Sequence, residues 1–411
     1  MDALHKRALS ALSRVCGEVR EGLPAEGVLG VVPAVVAAPR TVAEAAEVMR
    51  VAAELELAVV PRGGETRLEW GLPPERCDLL IDTTGLARVV EHAAGDLVVT
   101  VEAGVTLGRL AEVLAGAGQR LALDVPTPHS TVGGTVAAGA GGPSRLLHGS
   151  VRDLLIGVTM IRADGRIARS GGKVVKNVAG YDLGRLLAGS FGTLGLIVEA
   201  SFRLHPLPGA RAYVSGEFGD VAQAHRAAQR VLHSPHVPSA IEVDTEIGGA
   251  VRLCVLLEGV PEGVAARAEA VADLLGAGAR IADAPPPWWG LYPDGTTLIE
   301  LTGPPTALPR IAGTLQEHRA AETVLRGSAG AGIWHVGLGS AEPQAVAKLL
   351  ADLRGMLAPL PGGAVVRYAP QAVREEIDLW GPIPALALMR RVKEQFDPGR
   401  RLSPGRFAGG I

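Results

Sequence analysis

Apolar residues recur along the chain with two periods, and their alternation predicts the elements. Leu4, Ala8, Leu12 and Val15 repeat at helical spacing, which predicts an amphipathic helix over residues 1–25. An apolar run over 28–38 reads as a strand. Thr41-Val42-Ala43-Glu44 has the form of a capping box and predicts a helix to about Leu55. Runs at 57–60, 77–82 and 96–101 predict strands, and Thr106 caps a helix ending near Gly116 and Gly118. Residues 154–161 and 166–170 flank the turn Ala163-Asp164-Gly165 as a hairpin. Residues 183–187 form a helical turn, and 189–197 lead into a strand that continues to 204. This strand–helix rhythm indicates an α/β arrangement in the first half.

The pattern changes at His205-Pro206-Leu207-Pro208-Gly209. Beyond it, strands (211–218, 241–243, 251–257) alternate with alanine-rich helices (221–232, 265–275), as expected of a separate α+β domain with an antiparallel sheet. A helix over 384–396 precedes two turns, Asp397-Pro398-Gly399 and Ser403-Pro404-Gly405. No internal repeat is present.

Composition narrows the function classes. A chain of 411 residues suits two domains, and 47% hydrophobic residues suffice for sizeable cores. Aromatics at 3% and a net charge of −3 argue against a base-stacking or phosphate-attracting surface, so no nucleic-acid partner is expected. The three cysteines, Cys16, Cys77 and Cys254, can make neither a disulfide framework nor a four-cysteine iron–sulfur site, and they suit a reducing, cytoplasmic location. The apolar run 28–38 is broken by Pro33 and falls short of the roughly 20 residues of a membrane span. No direct membrane insertion is expected, and any membrane association would come through a partner.

The 54 glycines supply the candidate chemistry. Gly63-Gly64 follows an apolar strand, and residues 133–142 form a second glycine-rich segment, expected to be a loop. Such segments let backbone N–H groups approach an anion with no Cβ in the way, and two of them can enclose a diphosphate. Neither is a Walker loop or a GxGxxG fingerprint. A Gly-Gly pair alone is equally a simple turn.

Taken in order, the first loop, Pro126-Thr127-Pro128-His129-Ser130-Thr131-Val132-Gly133-Gly134, Gly180-Tyr181-Asp182-Leu183 and Gly189-Ser190-Phe191-Gly192-Thr193-Leu194-Gly195-Leu196-Ile197 resemble the FAD-binding domain of the vanillyl-alcohol oxidase / p-cresol methylhydroxylase (PCMH) superfamily. The run Lys173 to Leu183 is similar to the FAD-binding E-type subunits of glycolate oxidases, and Phe396-Asp397-Pro398-Gly399 with Ser403-Pro404-Gly405-Arg406 is similar to the closing motif. The resemblance implies an α+β protein: a two-subdomain PCMH-type domain over 1–205, an α+β cap over 206–375, and a C-terminal segment, 376–411, that returns to the first domain. It implies non-covalent FAD, since positions 62 and 65 are Arg and Glu rather than the His or Cys of covalent members. FAD would contact Pro61, Arg62, Gly63, Gly64, Glu65 and Thr66 in the first loop. In the second it would contact Thr127, Pro128, Thr131, Gly133, Gly134, Ala137, Gly139 and Gly142. The adenine end would lie near Gly195 and Ile197. Glu65 replaces the usual third glycine, and its carboxylate should turn outward or pair with Arg62 or Arg67.

His129 is expected to brace its loop. Trp288 and Trp289 are expected to pack a domain junction. Lys176 is one of only five lysines and a candidate contact for a substrate carboxylate. His335 has no nearby histidine or acid in sequence, so no metal is expected. The leading reading is an FAD-binding subunit of a heteromeric glycolate (2-hydroxy-acid) oxidase, partnered by a D-type flavoprotein and an iron–sulfur subunit. The alternatives are a non-catalytic flavin-bearing subunit and a stand-alone FAD oxidase.

Overall fold

The computed structural model describes residues 3–172, 182–318 and 322–411. The chain divides into two compact units. The first comprises 1–141, 150–207 and 383–411; the second comprises 142–149 and 208–382.

The first unit contains two main sheets, and Ile161, Leu196 and Val198 of the second pack into the core beneath the first. Helix α1 (Ala3–Leu12) is shorter than the periodicity predicts. The Gly17 amide donates to the Glu44 carboxylate at 2.6 Å, and the chain then enters strand β1 (Val19–Glu21). The apolar run after it is not one strand. Leu29 and Gly30 take positive φ in a tight turn, and only β2 (Val35–Ala37) joins the sheet. Helix α2 (Val42–Glu54) starts where the capping box places it, with Thr41 Oγ1 accepting from the Glu44 amide. Strands β3 (Val59–Arg62) and β4 (Leu79–Asp82) complete a sheet in the order β1-β2-β4-β3, with β2, β4 and β3 parallel. Its core is built from Leu12, Val48, Met49, Leu57 and Ile81.

The second sheet of this unit has the order β5-β6-β10-β8-β9. It contains β5 (Val89–Ala93), β6 (Val98–Glu102), β8 (Leu155–Ile161), β9 (Ile167–Gly171) and β10 (Leu196–Arg203). β8 and β9 are the antiparallel hairpin expected around 163–165. β5 has no expectation from sequence because it is a largely exposed edge strand without an apolar alternation. The short β7 (Gln119–Arg120) and β11 (His205–Pro206) pair beside this sheet. Helix α3 (Leu107–Ala115) is capped by Thr106 as expected.

The glycine-rich segment departs from expectation. Residues Val132–Ala138 form a helix, α4, not a loop. Thr131 caps it through a hydrogen bond from the Gly134 amide, and Gly139 ends it at φ +66°. The cap at Thr131 and the left-handed glycine outweigh the weak helix propensity of Gly133 and Gly134.

The helix Leu386–Phe396 and the residues after it belong to the first unit. Buried Lys393 donates to the carbonyls of Thr193 and Leu402 and to Asp397 Oδ2, at 2.7–2.8 Å. The Val59 amide donates to Arg401 O, and the Ser403 amide donates to Val59 O. The C-terminal segment thus covers the open edge of β3, blunting an exposed strand.

The second unit holds one eight-stranded antiparallel sheet. Its strands are β12 (Ala210–Phe218), β13 (Ala240–Glu246), β14 (Val251–Gly259), β15 (Arg280–Ala282), β16 (Thr297–Thr302), β17 (Thr323–Ser328), β18 (Ile333–Leu338) and β19 (Gly363–Tyr368). They run in the order β15-β12-β14-β13-β17-β18-β16-β19. Helices Val221–Leu232 and Pro261–Leu275 contribute buried alanine, valine and leucine. Trp288 lies in a core of this unit with Tyr213, Cys254 and Leu256, and Trp289 meets Tyr213 edge-on at 5.3 Å.

Candidate functional site

Two adjoining clefts, both open to solvent, lie in the first unit. They share Pro61, Gly63, Gly134, Ala137 and Phe191. Glu65, Thr66, Thr131 and Arg406 complete the first; Arg62, Gly133, Gly195 and Ile197 are in the second. Twelve of the sixteen residues expected to contact the cofactor therefore line one continuous depression.

The first loop and α4 touch each other directly, and this explains their glycines. A Cβ on Gly63 would lie 2.2 Å from Thr131 Oγ1, and one on Gly64 would lie 2.4 Å from the His129 carbonyl oxygen. Both glycines are required by the contact between the two segments before any ligand arrives. Gly134 differs: an added Cβ would meet only Thr131 Oγ1, at 3.1 Å, and would otherwise point into the cleft. Hydroxyls brace the contact. Ser130 Oγ lies 3.0 Å from Thr66 Oγ1 and 2.5 Å from Thr127 Oγ1, and Arg67 Nη1 donates to both Thr66 and Ser130. The His129 side chain is exposed and supplies no bracing hydrogen bond among the described residues; what His129 brings to the contact is its carbonyl oxygen, closely approached by Gly64.

The two segments offer an anion different things. The first amides of α4 are already used: Val132 donates to Val105 O, Gly133 to Ala103 O, and Gly134 to Thr131 Oγ1. The second segment therefore shapes the cleft more than it donates to it. Among the described residues, the amides of Gly63, Gly64, Glu65 and Thr66 donate to no protein acceptor. Four successive unpaired N–H groups beside a cleft make an anion cradle. The residues present fit an extended cofactor bearing phosphates.

Glu65 sits at φ +59°, a region where a Cβ is strained, which accounts for a glycine being usual there. Its exposed carboxylate pairs with Arg62 Nη1 at 3.3 Å, as expected. Glu65→Gly relieves the strain, which should stabilise the fold, and removes one negative charge at the cradle. Loss of that charge should let the chain bind FAD several-fold more tightly, on the order of 1 kcal/mol, read by flavin-fluorescence titration of the stripped chain.

Arg62 is buried and already engaged, donating to Glu26 at 3.0 Å and to Asp82 at 2.7 Å. It fastens the base of the first loop, and its guanidinium is not held in reserve for a ligand. Hydrogen bonds from Arg20, then from the Leu23 amide and Arg62, pull the Glu26 carboxyl from 4.5 down to about 2 against the opposing effect of burial. A lowered carboxylate pKa contributes stability above the unfolded value and loses it as pH falls toward the folded one. Stability of the first unit should therefore drop between about pH 4.5 and pH 2, and Glu26→Gln should flatten that part of the profile in urea-unfolding measurements.

Four expected contacts lie off the clefts. Thr127 braces Ser130, and the Pro128 carbonyl accepts from the Gly108 amide. Gly139 caps α4, and Gly142 belongs to the second unit. Lys176 lies outside the described residues. Sequence reasoning did not place Phe191, Arg67, Thr83 or Arg406 at the clefts. Phe191 and Arg406 had a signal, since both fall within the quoted motifs; Arg67 was expected only as a partner for Glu65, and Thr83 had no signal.

In the second unit, Glu300 on β16 accepts from Arg367 on β19 at 2.5 and 3.1 Å and lies 3.3 Å from His335 Nε2 on β18. Burial opposes ionisation of Glu300, but Arg367 and His335 hold its carboxyl below the usual range. Burial lowers the pKa of His335. Among the described residues no group of three His, Cys, Asp or Glu could hold a metal ion. No helix among them is long and apolar enough to cross a membrane.

Residues 33–171 match the family model "FAD binding domain", and residues 381–407 match "FAD linked oxidases, C-terminal domain". The cofactor is FAD. The two matches fall on the clefts and on the segment that covers β3, so the chain is an FAD-linked oxidoreductase. An FAD-linked oxidoreductase of Mycobacterium tuberculosis is 28% identical over 91% of this chain and 90% of its own length. Glycolate oxidase subunit GlcE of Escherichia coli is 43% identical over 124 residues, 30% of this chain and 35% of that one. Glycolate oxidase subunit GlcD of Bacillus subtilis is 31% identical over 51% of this chain and 45% of that one. These are distant relationships to 2-hydroxy-acid oxidases and dehydrogenases. The solved structure of p-cresol methylhydroxylase superposes with a TM-score of 0.71 at 16% identity, covering 99% of this chain and 97% of that one, which establishes the PCMH-type fold.

Proposed function

We propose that the chain is the FAD-binding subunit of a heteromeric 2-hydroxy-acid oxidase of the glycolate type. The observation that supports this most is the 43% identity with GlcE, together with the unpaired amides of Gly63 to Thr66 beside the cleft. When bound, FAD supplies the two-electron acceptor for oxidation of the CH–OH group to a keto acid. This chain's residues bind and orient it: the first loop through its amides, α4 through its close approach, and Gly195 and Ile197 at the far end of the depression. The expected partners are a D-type flavoprotein and an iron–sulfur subunit, since three buried cysteines cannot ligate a cluster. A cytoplasmic location, with any membrane association through those partners, goes with this reading. The cap over 206–375 and Lys176 as a contact for the substrate carboxylate belong to the same proposal.

A second reading, a stand-alone FAD oxidoreductase, is favoured by the end-to-end similarity to the mycobacterial protein. Anaerobic addition of glycolate or D-lactate to the pure flavinylated chain separates the two. Slow or absent bleaching of the flavin, with fast turnover only after both partner subunits are added, is the expected result. Fast acceptor-coupled turnover by the lone chain would overturn the subunit reading.

A further inference from the structure

Arg406 is a cation without an anion. It is 4% exposed, and its Nη2 donates only to the carbonyls of Leu68 and Trp70, at 2.6 and 2.7 Å. Its Nε is buried with no acceptor. No carboxylate among the described residues forms an ion pair with it. The one group acting on it with opposite sign is Cys77, whose own thiol is pushed up to about 12 by burial and is neutral at physiological pH. Desolvation lowers the Arg406 pKa to about 10, so the residue remains charged. A buried charge is costly unless paired, and the fold around Arg406 offers only dipoles.

The same side chain lines the first cleft, beside Gly63, Gly64, Glu65 and Thr66. It arrives there from the opposite end of the sequence. Ser403 and Arg401 pair with Val59, the Glu75 amide donates to Pro404 O, and the Leu72 amide donates to Arg406 O. Gly71, at φ +85°, permits this approach, since a Cβ there would lie 2.7 Å from the Arg406 carbonyl oxygen. Next to it, Phe407 stacks on Phe191, which lines both clefts, at 5.4 Å.

We propose that Arg406 is the counter-cation for the phosphates of FAD, and that through it cofactor binding latches the C-terminal segment 397–407 onto the first loop. The inference rests on the reading that these clefts hold FAD. A diphosphate supplies the negative charge that the protein leaves out, and Arg406 adds a charge-assisted donor to the four free amides of the cradle. The C-terminal segment is then a wall of the cofactor site, and its docking and FAD retention are thermodynamically linked: each stabilises the other by the same factor. Riboflavin, which has no phosphate, gains little from Arg406.

The test uses the full chain stripped of flavin. Arg406→Met should raise the Kd for FAD at least tenfold while changing that for riboflavin by less than twofold, and Arg406→Lys should recover most of the loss. Hydrogen exchange on the wild-type chain should show FAD slowing residues 63–72 and 397–407 together. FAD binding by Arg406→Met within twofold of wild type would overturn the proposal. If that variant does not fold, the exchange experiment decides alone, and unchanged exchange at 397–407 on FAD addition would overturn it equally. Gly134→Val, run alongside, tests the underlying reading: wild-type FAD affinity in that variant would remove the cleft assignment itself, whatever Arg406 does.

Discussion

Gly134→Val should purify as a folded chain without flavin. The added side chain has room on the protein side, where only Thr131 Oγ1 comes near at 3.1 Å. It would project into the depression that Gly134 lines on both sides. Helix α4 tolerates the change, because valine has a better helix propensity than glycine and the Thr131 cap is untouched. A loss of FAD affinity on the order of 100-fold, about 3 kcal/mol, is expected, with stability altered by about 1 kcal/mol or less. Flavin released into the supernatant by acid precipitation, and thermal unfolding by circular dichroism, measure the two effects separately. The contrasting change is Gly64→Val, whose Cβ would meet backbone at 2.4 Å and which should damage folding itself. Normal flavin occupancy in Gly134→Val would show that the cofactor lies elsewhere. Wild-type chain whose yellow colour stays with the acid pellet would contradict non-covalent binding.

Lys393→Met should unfold the first unit at much lower denaturant. Lys393 and Asp397 are both buried, 4% and 0% exposed, and their ion pair is 2.7 Å long. Removal of the ammonium strands the Asp397 carboxylate and leaves the carbonyls of Thr193 and Leu402 without this donor. Breaking one side of a buried pair costs about 3–5 kcal/mol. Replacing both partners, as in Lys393→Met with Asp397→Leu, should cost less than the single change, although Asp397 also accepts from the Leu402 amide. Urea unfolding followed by flavin fluorescence reads this, since the C-terminal segment and the clefts share one unit. A single variant within 1 kcal/mol of wild type would mean that the segment is not fastened by this pair.

Particular residues show how far sequence carried. Thr41 and Thr106 are caps whose signals lie within three residues, and both helices begin where those signals put them. The 155–171 hairpin was legible because its turn and its two apolar runs are contiguous. The first loop was legible as a site because a strand, two glycines and an ordered set of motifs agree. Helix α4 was not, because five glycines within the ten residues 133–142 suggest a loop, and only the Thr131 cap and the packing of Gly133 against Ala103 decide otherwise. The overlong helix at 1–25 failed for a related reason: Glu44, 27 positions away, takes the Gly17 amide and ends any continuation.

By itself the sequence determined what depends on neighbours along the chain: caps, the hairpin, the change of pattern at 205–209, and the motif order that resembles FAD-binding domains. Tertiary structure alone decided what depends on partners far apart. Gly63 and Gly64 proved necessary for contact with Thr131 and His129. Residues 142–149 joined the second unit although they sit within the first in sequence. Arg406 reached Leu68 and Trp70 across more than 330 residues, bringing a bare charge to the edge of the cleft. The physical reason is that caps and turns are satisfied by local hydrogen bonds, which the order of residues specifies. Close backbone approach, burial and the absence of a counter-charge are properties of the packed chain, and no window of sequence contains them.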